Sequence, residues 1–287
     1  MAIRRILAPL SGAQSDEAAL DCAFHVARRC EAHLDGLVTS VDSRDAVAFV
    51  GEGMTSAMID QIMSAAEKEA REREARAGQL FERIRQRHQF PLAERPAASG
   101  VSARLLRRTG REDDIVAEQG RLADLIVAAK PPQQEEEHPS LALEAGLRET
   151  GRLVLVVPGP LPERIGQRIA IAWNGSVEVG RAVAYARQFL REAEKVVVLS
   201  VAEESPYGPP AEDAVEYLAW HGITATSAAL PAGERTQGQT LLSAAREQGC
   251  DMMVMGAYTR SHMRRLIFGG VTGAVLTETT IPVLMTH

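Results

Sequence analysis

The residues best placed to do chemistry lie in one stretch, Met252 to Thr272, which reads MMVMGAYTRSHMRRLIFGGVT. An apolar run ends at Gly256, a polar and basic loop follows, and Gly269-Gly270-Val271-Thr272 opens a helical pattern. The N–H groups at a helix N-terminus point outward without partners, and the helix dipole adds partial positive charge there. Glycines let an anion approach the main chain closely, so a strand, a glycine and a helix start together read as a phosphate site. Arg264 and Arg265, inside the loop, add positive charge at the same place. The chemistry implied is binding. No P-loop lysine motif, HExxH pair, nucleophile elbow or kinase signature occurs, so no catalytic residue is assigned.

Other reactive side chains carry weaker signals. His262 sits in the same loop and reads as a solvent-facing histidine. His25 follows Cys22 by three residues on a helical pattern, but a closed zinc site needs four ligands, so His25 reads as structural and no metal site is expected. Cys22 and Cys30 share that helix at a separation of about 12 Å, beyond disulfide reach, and with Cys250 they read as small core residues. Asp124 and Asp251 occupy matching places before two similar apolar runs and read as turn caps. Trp173 reads as core, with stacking on a base left open by its place beside Asn174.

These residues need elements to position them, and the elements come in two copies. Arg5 to Leu10 is an apolar strand, with a turn at Ser11 and a helix from Ser15, its N-cap; Leu34 to Val41 is a second strand. A long helix from Met54 to His88 puts Met58, Ile62, Ala66, Ala70, Ala77, Phe81 and Ile84 near one face, with opposite charges at i,i+4 along a solvated one. Ala103 to Leu106 is a weak third strand, Asp113 to Gln119 a helix, Asp124 to Ala129 a fourth strand, and a helix from Leu141 precedes a fifth strand, Leu153 to Val157. Pro158-Gly159-Pro160-Leu161-Pro162 can continue neither helix nor central strand, which makes it a linker.

After it the grammar restarts. Arg168 to Gly175 (RIAIAWNG) echoes Arg5 to Gly12 (RILAPLSG). Asp251 to Met255 (DMMVM) answers Asp124 to Ala128 (DLIVA), and Pro282 to Met285 closes the chain as Leu153 to Val156 closed the first half. The expected fold is α/β: two tandem Rossmann-like domains, each an open five-stranded parallel sheet with helices on both faces. The domains are expected at 1–158 and 166–287, with 159–165 as linker. Ligands in such sheets sit beyond the carboxyl ends of the strands where strand order reverses, which selects the loops after the first and fourth strands.

Composition narrows the class. The 287 residues are 45% hydrophobic and 24% charged, as in an ordinary globular protein. The net charge of −6 argues against a general nucleic-acid binder. No apolar run reaches the roughly 20 residues that span a bilayer, and Ile6 to Leu10 is too short for a signal-peptide core, so the expected location is the cytoplasm.

Taken with the repeat, the loop residues identify a family likeness: the chain resembles a tandem universal stress protein. Nucleotide-binding members of that family carry, after the fourth strand, a glycine, two residues, a second glycine, nine residues, then Gly-Ser with a Ser or Thr two further on. Here Gly256 is followed by two residues, Thr259, nine residues, then Gly269-Gly270 and Thr272. The spacing matches, with Thr259 in place of the second glycine and Gly270 in place of the serine. The first-strand turn, commonly of the Asp-Gly-Ser type, is Asn174-Gly175-Ser176 in the second half and Ser11-Gly12-Ala13 in the first.

The resemblance implies ATP or a related adenine nucleotide, with Mg²⁺ in some members. Gly256, Thr259, Thr272 and the N–H groups of Gly269, Gly270 and Val271 would meet the phosphates. Ala172, Asn174, Gly175 and Ser176 would lie by the ribose, and Val201 by the adenine. A glycine in place of the serine at position 270 removes one hydroxyl bond, worth about 0.5–1.5 kcal/mol, and keeps the backbone donor. In the first half the equivalent stretch, Ala129-Lys130-Pro131-Pro132 followed by Glu135-Glu136-Glu137, has no glycine, so that half is expected to bind no nucleotide. The resemblance also implies that the fifth strands meet within the chain, with a homodimer open.

Two functions follow: a stress-response regulatory module that binds ATP in its second half and acts on an unknown protein partner, with hydrolysis at most slow, or a nucleotide-free interaction protein of the same fold. A true enzyme of this fold ranks behind both.

Overall fold

Alternating apolar strands and amphipathic helices build two compact units, seen in a computed structural model that describes residues 2–40, 56–95, 100–131, 140–161, 165–202, 208–258 and 270–287, apart from the side chains of 56, 57 and 59. One unit holds Arg4–Ala128 with Ser140–Thr150, and the other holds Met1–Ile3, Ala129–Pro139 and Gly151–His287.

In the first of these, β1 (Arg5–Leu10), β2 (His33–Ser40), β3 (Ser102–Thr109) and β4 (Leu125–Ala129) run parallel in the order β3-β2-β1-β4. Helices α1 (Asp16–Cys30), α2 (Ser56–Arg87), α3 (Glu112–Gly120) and α4 (Leu141–Glu149) connect or follow them. Strand order reverses between β1 and β4, so their carboxyl ends form the crevice of this unit.

The third strand is longer than its sequence implies: β3 pairs with β2 along its whole length, from His33↔Ser102 to Ser40↔Thr109. Arg104, Arg107 and Arg108 mask the alternation, because a guanidinium can leave a strand position through its long apolar stem. The long helix also differs from its pattern. Ala77, Phe81 and Ile84 are buried as expected, but Met58 and Ile62 are exposed. At about 1.5 Å per residue a helix of this length far outruns the strand it covers, so its first turns have no sheet beneath them.

Ser15 is not the N-cap its position suggested. Its backbone is already helical (φ −61°, ψ −25°) and its side chain caps nothing. Asp16 instead holds the turn before the helix, its carboxylate accepting from the Gly12 N–H at 2.8 Å.

In the other unit β6 (Arg168–Ala172), β7 (Lys195–Val201), β8 (Ala225–Leu230) and β9 (Met252–Gly256) are parallel, with order reversing between β6 and β9. The helices are α5 (Val177–Glu192), α6 (Ala211–Trp220), α7 (Gln237–Glu247) and α8 (Gly270–Glu278). On the β9 side, β10 (Val283–Thr286) runs parallel to β9, and β5 (Leu153–Val157) pairs with β10 antiparallel, Leu155 opposite Leu284. The last strands of the two sequence repeats thus pair as expected, and β5 packs with the second half of the chain. All five residues of β5 are buried, which satisfies an apolar edge that would otherwise invite foreign strands.

Candidate nucleotide site

Beyond the carboxyl ends of β6 and β9 lie the turn at Asn174-Gly175-Ser176, Gly256 and the start of α8. Ala172 lies opposite Met255 in the ladder, so the chain leaves both strands at one level. The turn after β6 is held by its own polar groups. Asn174 Oδ1 accepts from Ser176 N at 3.2 Å, Gly175 takes φ +71°, and Ser176 caps α5 by accepting from Val179 N at 3.3 Å. Asn174-Gly175-Ser176 is therefore also the local chemistry that turns a strand into a helix. Trp173 reaches outward, donating from Nε1 to the Pro209 carbonyl at 2.8 Å, and Gly208 packs on Gly175 so closely that a Cβ there would stand 2.1 Å from the Gly175 oxygen.

Gly256 ends β9 against the first turn of α5. A side chain there would meet Val179 N at 2.7 Å and Glu178 Cβ at 2.8 Å, so this glycine is required by helix packing whatever ligand is bound. Two residues on, Tyr258 adopts φ +58° and donates its N–H to Thr272 Oγ1 at 3.1 Å. That bond ties the turn after β9 to the first turn of α8, where Gly270 opens the helix at φ +79° and Val271 follows. A hydroxyl that accepts one bond keeps its own hydrogen to donate, so the tie leaves Thr272 a donor. Val201, 3% exposed, ends β7, the neighbour of β6. Thr259, Arg264, Arg265, Gly269 and His262 lie outside the described residues, as do Glu135, Glu136 and Glu137.

The equivalent crevice of the other unit is filled by protein. A Cβ on Gly12, which has φ +78°, would come within 2.6 Å of the Arg73 carbonyl oxygen, so α2 runs directly across the turn after β1. Two carboxylates face the same place. Asp16 is 4% exposed, and burial pushes its carboxyl above the ordinary range against bonds from Gly12 and Ser11. Glu112 is also raised, first by burial, with Arg73 opposing and Asp16 and Asp113 adding to the rise. A polyanion meets backbone and carboxylates there. The sequence expectation for this half rested on the fourth-strand loop and did not include Arg73, Asp16 or Glu112. The one local signal was Gly12 itself, a turn glycine without the following serine.

Asp124 and Asp251 hold strand starts. Asp124 accepts from the N–H groups of Arg4 and Arg5 at 2.9 and 3.0 Å, and Asp251 from those of Gly166, Gln167 and Arg168 at 3.0–3.1 Å.

The model for the Universal stress protein family matches residues 232–287, which include β9, its loop and α8. This segment is thus similar to the universal stress protein family. The fold extends over the whole chain: a universal stress protein from Archaeoglobus fulgidus DSM 4304 superposes with a TM-score of 0.65 at 14% identity, over 98% of this chain and 95% of that one. A putative universal stress protein from Pseudomonas aeruginosa UCBPP-PA14 superposes with a TM-score of 0.56 at 16% identity, over 99% and 93%. A functionally unknown protein from Pseudomonas aeruginosa PAO1 does so with a TM-score of 0.56 at 16% identity, over 99% and 92%. No curated protein matches the sequence. Among the described residues of this tandem universal stress protein fold, no helix is long and apolar enough to cross a membrane.

Proposed function

We propose that the second half binds one adenine nucleotide, ATP alone or with Mg²⁺, and that its occupancy is read by a protein partner, with hydrolysis at most slow. The phosphates lie over the start of α8, at the N–H groups of Gly269, Gly270 and Val271, flanked by Gly256, Thr259 and the Thr272 hydroxyl, with Arg264 and Arg265 adding charge. The ribose lies by Ala172 and the Asn174-Gly175-Ser176 turn, and the adenine by Val201. The observation that carries this reading is the bond from Tyr258 N to Thr272 Oγ1, which brings the glycine turn after β9 and the α8 N-terminus to one place at a strand-order reversal.

Calorimetry with ATP and Mg²⁺ on the full chain tests it. Saturable binding that Gly269→Glu abolishes is the expected result, because a carboxylate beside the helix start repels phosphate. No binding at millimolar ATP, or binding indifferent to that substitution, sinks it. The second reading, a nucleotide-free interaction protein, is favoured by the close packing of Gly208 on Gly175, which covers part of the turn that would face a ribose.

A further inference from the structure

Within the unit that holds Arg4–Ala128, the fold brings together three metal-ligating side chains. Asp21 and His25 stand one turn apart on α1, and His88 follows the last residue of α2. Their ligand atoms lie within 4.8 Å of one another: His88 Nε2 is 2.8 Å from Asp21 Oδ1 and His25 Nε2 is 3.6 Å from Asp21 Oδ2. Around an ion with bonds of about 2.0–2.2 Å, tetrahedral ligands stand about 3.4 Å apart. The two Asp21 spacings, one to each carboxylate oxygen, fall on either side of that value, so modest side-chain rotations would bring the three ligand atoms onto one ion.

The environment favours a site over a chance contact. The His88 side chain is 8% exposed, and Phe24 stacks on its ring at 5.3 Å with 12° between planes. Arg28 donates to the His88 carbonyl, and its guanidinium lies 5.1 Å from the Phe90 ring. His88 is thus aimed at Asp21 by packing before any ion arrives, which limits the entropy lost on binding. His25 is half exposed and its ring meets that of His88 edge-on at 4.7 Å, leaving an open side for entry and for a water ligand. Cys22, next to Asp21 in sequence, is no part of the set, since it is buried and burial pushes its thiol far up.

We propose that Asp21, His25 and His88 bind a divalent transition-metal ion of the zinc class, with water completing the coordination. Two imidazole nitrogens and one carboxylate suit Zn²⁺, Co²⁺, Ni²⁺ or Cu²⁺ and disfavour Mg²⁺ and Ca²⁺, which take oxygen ligands. The bound ion replaces the His88–Asp21 hydrogen bond and clips the end of α2 to α1. Arg87, 3.5 Å from Asp21 and more than half exposed, competes for the same carboxylate from the rim.

Titration of the untagged full chain with Zn²⁺ against a chromophoric chelator tests the site, with Co²⁺ as a visible-absorbance probe. One equivalent of Zn²⁺, lost or weakened beyond the roughly 10–100-fold typical of an outer-shell change in His25→Ala and Asp21→Asn, is expected. Arg87→Gln should bind more tightly than the wild type, a gain that no unfolding artefact produces. Gly269→Glu should leave the metal affinity unchanged, separating this site from the nucleotide reading. Absence of Zn²⁺ binding to the wild type, or equal binding by His25→Ala and Asp21→Asn, overturns the proposal.

Discussion

Asp35 lies near the start of β2 with no exposed surface. Arg5 Nε reaches its carboxylate at 2.8 Å, Arg104 Nε at 2.9 Å and His33 Nε2 at 3.1 Å. Burial alone would raise its pKa, but the bonds from His33, Arg104 and Arg5 outweigh it and hold the carboxyl well below the usual carboxylate range. A depressed folded value means stability that is present above the unfolded pKa of about 4 and is lost as pH falls below it. Asp35→Asn should therefore destabilise the protein at pH 7 and flatten the acid limb of its stability curve, read from urea unfolding between pH 3 and 7. The cost at pH 7 should fall short of the roughly 3–5 kcal/mol typical of a broken buried pair, because the two arginines keep about a quarter of their side chains in water. Asp16 has the opposite sign. Its folded pKa is raised, chiefly by burial, so its ionisation costs stability as pH rises through and above the unfolded value. Asp16→Asn should gain stability relative to wild type at pH 7, and the gain should shrink as pH falls toward 4 in the same urea series. Neither shift was legible from the chain, because burial is set by the fold and the two arginines that hold Asp35 come from the neighbouring strands β1 and β3.

At the scale of elements, α2 is the piece whose placement matters most. It sits on β2 through Phe81, whose ring would stand 2.6 Å from a Cβ at position 36, so Gly36 is the socket for the helix. Gly36→Val should cost about 1–3 kcal/mol through overpacking and should raise amide exchange in α2 around Phe81 more than in α1. The helix was visible in its 3.6-residue period, but its seat was not: a lone glycine in a strand pattern does not say which side chain it admits. By contrast α7 follows its own sequence. Thr236 accepts from Gln239 N at 3.3 Å while the Gln239 side chain accepts from Thr236 N at 3.2 Å. Removing this box with Thr236→Ala should cost about 1 kcal/mol by chemical denaturation.

For the whole molecule the prediction is a stoichiometry. The turn after β1 lies under α2 at Arg73, whereas the turn after β9 is joined to the start of α8 through Tyr258 and Thr272. Titration with ATP should therefore saturate at one nucleotide per chain, and two equivalent sites would contradict the filled crevice at Gly12. The sequence by itself determined the repeated strand–helix order, the parallel pairing this order demands, the strand-order reversal where ligands collect and the glycine spacing after β9, all of which are local periodicities or spacings along the chain. Tertiary structure decided the rest: that α2 closes one crevice, that Asp35 is buried among arginines and that His88 meets Asp21 and His25. Each of these depends on which distant surfaces meet, and a side chain's neighbours across a sheet or between helices leave no periodic trace in the sequence.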